Sequence, residues 1–210
     1  HFLMDRMQQL PQNVTVQRAL NDYRDMIKKR CQRKPIQHIL GSQEFMGLEF
    51  KINSHVLIPR QDTETLVEEA LKVLEPGMSV LDLCTGSGCV IISLLRQKRL
   101  FGIASDISKQ ALLIAKENAK NNRVDVQLVR SNLFQNIMGK YDMIIANPPY
   151  IPTETIASLM PEVKNFEPVE ALDGGEDGLD FYRQIVKESG QFLKSNGYLC
   201  LEIGHDQGGR

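Results

Sequence analysis

Four consecutive residues, Asn147-Pro148-Pro149-Tyr150, carry the clearest chemistry in this chain. They follow an apolar run, Tyr141-Asp142-Met143-Ile144-Ile145-Ala146, whose length and composition predict a buried strand. One amide side chain is thereby set at the carboxyl edge of a sheet. The two prolines fix φ and lack N–H groups, so the backbone beside Asn147 stays out of a helix and its carbonyls remain acceptors. The side-chain oxygen of Asn147 and the carbonyl of Pro148 can then grip both hydrogens of one planar –NH2 group. Tyr150 offers that group a flat wall. An amide or an amino-purine is the matching ligand. A plain strand-ending turn also uses Asn and Pro, but it has no need of two prolines followed by an aromatic.

A second constellation lies upstream. Asp82-Leu83-Cys84-Thr85-Gly86-Ser87-Gly88-Cys89 follows a predicted strand and opens a predicted helix. Gly86 and Gly88 allow tight turning and close approach of a ligand, and the helix start offers unpaired N–H groups. Asp106 ends the next predicted strand, 20 residues after Gly86, a spacing that suits a carboxylate reaching ribose hydroxyls. The dinucleotide run G-x-G-x-x-G and the phosphate-loop Gly-Lys-Ser/Thr are both absent. Asp82 beside the turn disfavours a pyrophosphate and suits a cationic ligand. A sulfonium cofactor with an amino-acid tail meets that description. Two structural alternatives stay open: Asp106 as a helix N-cap near Ser108, and Asp82 as an acceptor for turn N–H groups.

The elements that position these residues alternate. Strands are predicted at Ser79–Leu83, Phe101–Ser105, Val126–Val129, Tyr141–Ala146 and Tyr198–Ile203, and helices at Cys89–Arg96, Lys109–Asn121 and Leu179–Leu193. Such alternation implies an α/β fold with a parallel sheet covered on both faces. Before it, residues 1 to about 34 read as helical, with one apolar stripe of Val16, Leu20, Tyr23, Met26 and Ile27, of which Tyr23 and Met26 read as core, stopped by Pro35. Lys28-Lys29-Arg30 reads as a solvated helix face. Glu44–Ile52 reads as a hairpin with Gly47 at its turn. Asp62 or Thr63 is expected to cap a helix carrying Leu66, Ala70, Leu71 and Leu74. The Pro- and Gly-rich stretch Ile151–Gly178 is long for a loop and is expected to be functional.

Composition narrows the classes. The 210 residues carry a formal net charge of −1, with 42% hydrophobic and 24% charged residues, as in a soluble globular protein. No net field draws it to nucleic acid or membrane, no run approaches the roughly 20 apolar residues of a bilayer span, and the first residues do not form a signal peptide. Cys31, Cys84, Cys89 and Cys200 form no C-x-x-C pair, and no metal site is expected. Reduced core thiols suit a reducing, cytoplasmic setting.

Asp82–Gly88, Asp106 and Asn147–Tyr150 together resemble the class I methyltransferases that use S-adenosylmethionine on amino nitrogens. Three further segments make the chain similar to the HemK/PrmC family: Pro35–Gly41, Ile58-Pro59-Arg60-Gln61-Asp62-Thr63-Glu64, and Glu167-Pro168 with Ala171–Leu179. The likeness runs from about Pro35 to Gly204. It implies a Rossmann-like sheet with three parts: an N-terminal helical substrate-docking piece (1–40), a β-hairpin linker (41–58) and a methyltransferase domain (59–210). It implies transfer of methyl from S-adenosyl-L-methionine, leaving S-adenosyl-L-homocysteine, to the glutamine of the GGQ tripeptide in peptide chain release factors.

By position, the resemblance assigns Cys84, Thr85, Gly86, Ser87 and Gly88 to the cofactor turn, Asp106 to the ribose and Leu133 to the adenine. It assigns Asn147 to both ligands, and Pro148, Pro149 and Tyr150 to the glutamine. Asn147, Pro148 and Tyr150 are the catalytic set. A release factor is the expected partner, without membrane or nucleic acid, for a monomer. Cys84 stands where the family usually has Gly, and is expected not to need a positive φ. Asn132 stands where Asp is common. Further N-terminal helices and a strand pair after Gly204 are expected of the family and lacking here. Two other functions compete. A base amino-methyltransferase would need a basic, aromatic face, which 6% aromatics and no Trp disfavour. A non-catalytic nucleoside-binding module would not need Asn147–Tyr150.

Overall fold

The computed structural model describes residues 16–208, the side chains of residues 16 and 17 excepted. The expected helical pattern before residue 16, and the side chain of Val16, lie outside the described residues. The elements in chain order are α1 (Val16–Cys31), α2 (Ile36–Leu40), β1 (Ser42–Phe45), β2 (Leu48–Lys51), α3 (Asp62–Val73), β3 (Ser79–Leu83), α4 (Cys89–Gln97), β4 (Phe101–Asp106), α5 (Lys109–Asn121), β5 (Gln127–Arg130) and β6 (Tyr141–Ala146). Two one-turn helices, α6 (Thr153–Ile156) and α7 (Pro161–Lys164), and a 3-10 turn (Val169–Ala171) follow. The described chain closes with α8 (Asp180–Phe192) and β7 (Leu193–Leu201).

The main sheet has the order β5-β4-β3-β6-β7, and every pair is parallel. Parallel strands need crossovers, and α4, α5 and α8 supply three of them. Alternation along the strands divides the core. Val80, Met143 and Ile145 face one way and pack with Leu66, Val67 and Ala70 of α3 and Ile91 of α4. Leu81, Leu83, Ile144 and Ala146 face the other way and pack with Ile185 of α8 and Leu133, Phe134 and Ile137. Burying each large side chain contributes about 1.5–3 kcal/mol, so this two-faced burial fixes the strand register. Fold class and the predicted strand–helix order agree with this architecture.

The hairpin forms as expected. Met46 (φ 52) and Gly47 (φ 71) are its two turn residues, both left-handed, as a two-residue turn between twisted strands requires. Phe45 and Phe50 are buried edge to face, with ring centroids 6.1 Å apart. The hairpin is pinned by Asn118 of α5, which accepts from Lys51 N at 2.8 Å and donates to Lys51 O at 3.0 Å.

Several expectations are corrected. Tyr23 of α1 is not core: it is 42% exposed, as are its stripe neighbours Leu20 (40%) and Ile27 (42%), and Met26 is only half-buried. The basic end of α1, Lys28-Lys29-Arg30, is exposed as expected, and Arg30, with Arg33 just beyond the helix, also bonds Glu162 of α7, at 3.1 and 2.8 Å. α1 ends at Cys31, and Pro35 instead starts α2. Neither Asp62 nor Thr63 caps α3. Its N-cap is Gln61, with no side-chain cap bond. The stretch 151–178 carries α6, α7 and the 3-10 turn, and Ile151 bridges Asp173 in parallel across it. β7 begins at Leu193 rather than Tyr198, with a register irregularity against β6 and a left-handed Asn196 (φ 64) that absorbs it.

Candidate active site

The strand order reverses between β3 and β6, where one chain direction leads to β4 and the other to β7. Ligands of open α/β sheets bind at such a point, beyond the carboxyl ends of the strands. Leu83 pairs with Ala146, so the turn after β3 and Asn147 after β6 emerge side by side. A cavity of about 970 Å³ opens there. Cys84, Thr85, Gly86, Ser87, Asp106, Leu133, Asn147 and Pro149 all line it, as do Asp82, Asn132 and Thr63. Gly88, Pro148 and Tyr150 stand outside that lining.

The turn is shaped by backbone conformation. Cys84 has φ 56, which corrects the expectation that this position avoids the left-handed region. An L-residue there costs roughly 1–2 kcal/mol. The turn's own bonds offset it: Thr85 N donates to Ser105 O at 3.0 Å and Gly88 N to Thr85 O at 2.8 Å. Gly86 (φ 53) has nothing within 4 Å of where a Cβ would lie. Gly88 (φ 81) serves packing instead: a Cβ there would stand 2.9 Å from Ile92 Cδ1 and 3.2 Å from Ala115 Cβ, holding α4 and α5 apart. Asn118 also donates to Ser87 O at 2.9 Å, so one buried amide holds both the hairpin and the turn.

Asp106 is not the N-cap of α5. Ser108 is, its Oγ accepting from Ala111 N at 3.2 Å. Asp106 links turn and helix instead: Oδ2 accepts from Gly86 N at 2.9 Å and Oδ1 from Ser108 N at 2.8 Å. Each oxygen keeps a further lone pair for the cavity. Burial raises the Asp106 pKa, against the pull of those N–H groups. Asp82 is buried and accepts from Thr85 Oγ1 at 2.6 Å, not from a turn N–H. Burial, with Asp106 adding like charge, pushes Asp82 up to about 7. The Cys84 and Cys89 thiols are raised mainly by burial, Cys89 to about 12, so neither is a thiolate nucleophile.

On the other side, Asn147 Nδ2 donates to Thr63 Oγ1 at 3.2 Å. Among the described residues no donor reaches Asn147 Oδ1 or the Pro148 carbonyl. The Tyr150 hydroxyl donates to Glu202 Oε1 at 3.4 Å, and its carbonyl accepts from Gln207 Nε2 at 3.1 Å. Gln207 also donates to Gly178 O at 3.3 Å and accepts from Gly204 N at 2.9 Å. Gly174 and Gly178 press against the Tyr150 backbone: added Cβ atoms would stand 2.7 Å from Tyr150 Cα and 2.4 Å from Tyr150 O. Arg60 lines the cavity and donates to Glu167 Oε1 at 2.6 Å, while Ile58 N donates to Oε2 at 3.4 Å. The sequence reading missed Thr63, Asn118, Glu202 and Gln207 as site neighbours. Only strand register and tertiary approach bring them there, and no local spacing marks them.

The fold is that of a class I methyltransferase. The methyltransferase small domain family matches residues 61–161. A release factor glutamine methyltransferase of Thermodesulfovibrio yellowstonii is 39% identical over 215 residues, covering 97% of this chain and 76% of that protein. The protein of the same description from Agrobacterium fabrum is 44% identical over 191 residues, covering 87% of this chain. The chain spans 66% of the Agrobacterium protein's length, just under two thirds. Among solved structures, a methyltransferase from Pyrococcus furiosus shares the fold, with a TM-score of 0.60 at 18% identity, over 85% of this chain and 81% of that one. The chain belongs to the release factor glutamine methyltransferase family.

Proposed function

We propose that this chain transfers a methyl group from S-adenosylmethionine to the side-chain amide nitrogen of a glutamine in a peptide chain release factor, at its GGQ tripeptide. The observation that carries the reading is the pair of free acceptors, Asn147 Oδ1 and the Pro148 carbonyl, beside a cavity already furnished for a nucleoside.

The residues fit the methyl donor. Asp106 offers two carboxylate oxygens, each with a lone pair to spare, to a ribose diol. Leu133 is buried at the cavity wall and gives an apolar surface for a purine. Asp82 and Thr85 stand where a cationic amino-acid tail is favoured, since a positive ligand relieves a buried carboxylate. When bound, S-adenosylmethionine supplies an electrophilic methyl on sulfur.

An amide nitrogen is a poor nucleophile because its lone pair is delocalised into the carbonyl. Asn147 and Pro148 would each accept one of its hydrogens, hold it in place and favour a pyramidal nitrogen whose lone pair points at the methyl. The gain comes from positioning and preorganised dipoles. The methylated nitrogen then loses its extra proton to solvent, so no general base is required. In this reading the helical piece up to residue 40 docks the protein substrate, and the hairpin (41–58) joins it to the methyltransferase domain (59–210).

Labelled S-adenosylmethionine, incubated with the protein and either a release factor or DNA, tests this. Label on the release factor is expected. Label on DNA alone overturns the reading.

A further inference from the structure

Glu202 has no part in the steps above, yet it stands directly behind them. β6 and β7 pair Ala146 with Leu201, so Asn147 and Glu202 are the next residues out on neighbouring strands. Glu202 N continues the ladder by donating to Ala146 O at 3.0 Å. The residue is held by its neighbours: Tyr150 donates to its carboxyl Oε1, and Tyr182 of α8 donates to its backbone carbonyl at 2.8 Å. Its Oε2 is buried and has no full hydrogen bond among the described residues. Thr63 and Asn147 both lie near enough to stabilise its charged form, short of well-made bonds.

We propose that Glu202 and Thr63 form a positioning pair that fixes which way round the Asn147 amide sits, turning its NH2 inward and its oxygen toward the substrate –NH2 group. The inference rests on the proposed amide chemistry, because only there does the orientation matter. An Asn side chain is nearly symmetric in shape, and a half-turn about its last bond exchanges acceptor for donor. With the donor facing out, Asn147 would repel the substrate's N–H groups instead of accepting from them.

Something must therefore discriminate the two ends, and shape cannot. A carboxylate can, since it only accepts. Thr63 Oγ1 accepts from Asn147 Nδ2 at 3.2 Å, which leaves its own proton free for the nearby Glu202 carboxylate, whose charged form Thr63 helps to stabilise. In this proposal the donors run one way, from Asn147 to Thr63 and on toward Glu202, whose Oε1 also accepts from Tyr150. Thr63 is only 2% exposed, so water does not compete for that hydroxyl. Removing the hydroxyl, or replacing the carboxylate by an amide that also donates, makes both orientations of Asn147 permissible.

Two near-isosteric variants test this, Thr63→Val and Glu202→Gln, with Thr63→Ser as the rescue. Three quantities are read: turnover on a release factor, affinity for S-adenosylhomocysteine, and hydrogen exchange of the Asn147 side-chain NH2 by 15N NMR in the ligand-free protein. The NH2 should exchange slowly in wild type and at least about tenfold faster in both variants, since local protection is lost. Turnover should fall by about 10- to 100-fold, the scale of one misplaced transition-state dipole, with the affinity held within about twofold. Thr63→Ser should recover most of the loss. The proposal is overturned if folded Thr63→Val or Glu202→Gln keeps turnover within about twofold of wild type. It is equally overturned if the wild-type NH2 exchanges as fast as an exposed side-chain amide. Should wild type fail to methylate any release factor, the functional reading falls, and the exchange measurement alone decides the positioning pair.

Discussion

Asn147 and Glu202 stand side by side across the β6–β7 pair, one step beyond Ala146 and Leu201, although 55 residues separate them in the chain. The parallel register thus sets a carboxyl group beside the one amide on which the proposed chemistry depends. The same register places the turn after β3 on the other flank of Asn147. A single sheet edge therefore carries the turn, the amide and its half-buried neighbour.

Asp82 makes stability and ligand binding depend on pH. Folding raises its pKa from 3.8 to about 7, so between those values the folded protein keeps a proton that the unfolded chain has lost. Its contribution is present at low pH and is lost as pH rises through about 7. Asp106, also raised by burial, acts in the same direction. Thermal melts of the ligand-free protein should show Asp82→Asn losing less stability than wild type as pH rises from about 4 to about 7, the interval between those two values. A cationic ligand favours the charged carboxylate, so binding near neutral pH should release protons. Calorimetry in two buffers of different ionisation enthalpy reads this directly, and zero release contradicts it.

The glycine loop after α7 is expected to be intolerant at one position and a nearby helix tolerant. A Cβ on Gly174 meets only backbone: Tyr150 Cα at 2.7 Å and Gly178 Cα and O at 2.9 Å. None of these is the free end of a flexible side chain. Gly174→Ala should cost about 2–3 kcal/mol and displace Tyr150. Gly190 of α8 has open space around its missing Cβ, so Gly190→Ala should stabilise by about 0.5–1 kcal/mol. Urea denaturation of the pair measures both signs.

Glu167 should become a liability without Arg60. Its side chain is 1% exposed, and burial raises its pKa even with Arg60 in contact. Arg60→Ala leaves that carboxylate buried without its cation and should destabilise by about 1–3 kcal/mol, a figure discounted because Arg60 is partly exposed. Glu167→Gln added to Arg60→Ala should recover part of the loss. A double-mutant cycle in denaturant tests the coupling, and additive losses would contradict it.

The parts of the fold that were legible in the sequence are those set by local period. Ser79–Leu83 and Tyr141–Ala146 are mainly apolar segments of strand length, and Lys109–Asn121 is amphipathic between Ser108 and a polar end, so their bounds agree with the structure. Cys84 was misjudged because a left-handed φ is set by the sheet-to-helix junction, and a non-glycine residue there conceals it. Thr63 was read as a cap because Thr near a helix start commonly caps. Its hydroxyl instead faces Asn147, an approach visible only after α3 packs on the sheet. Glu202 sits just past an apolar strand and carries no local signal. Its meaning comes from register alone. The exposure of Leu20, Tyr23 and Ile27 shows the limit of periodicity, which marks a stripe without showing what covers it.

The most direct measurement replaces Asn147 by Ala and maps the methyl group. Wild type, S-adenosylmethionine and a release factor should yield one added methyl on the glutamine of the GGQ peptide, read by tandem mass spectrometry. Asn147→Ala should bind S-adenosylhomocysteine and the release factor, yet lose about 10²–10³-fold in turnover, as loss of one preorganised polar group does. Near-normal methylation by Asn147→Ala, or a methyl group on any residue other than that glutamine, would contradict the account.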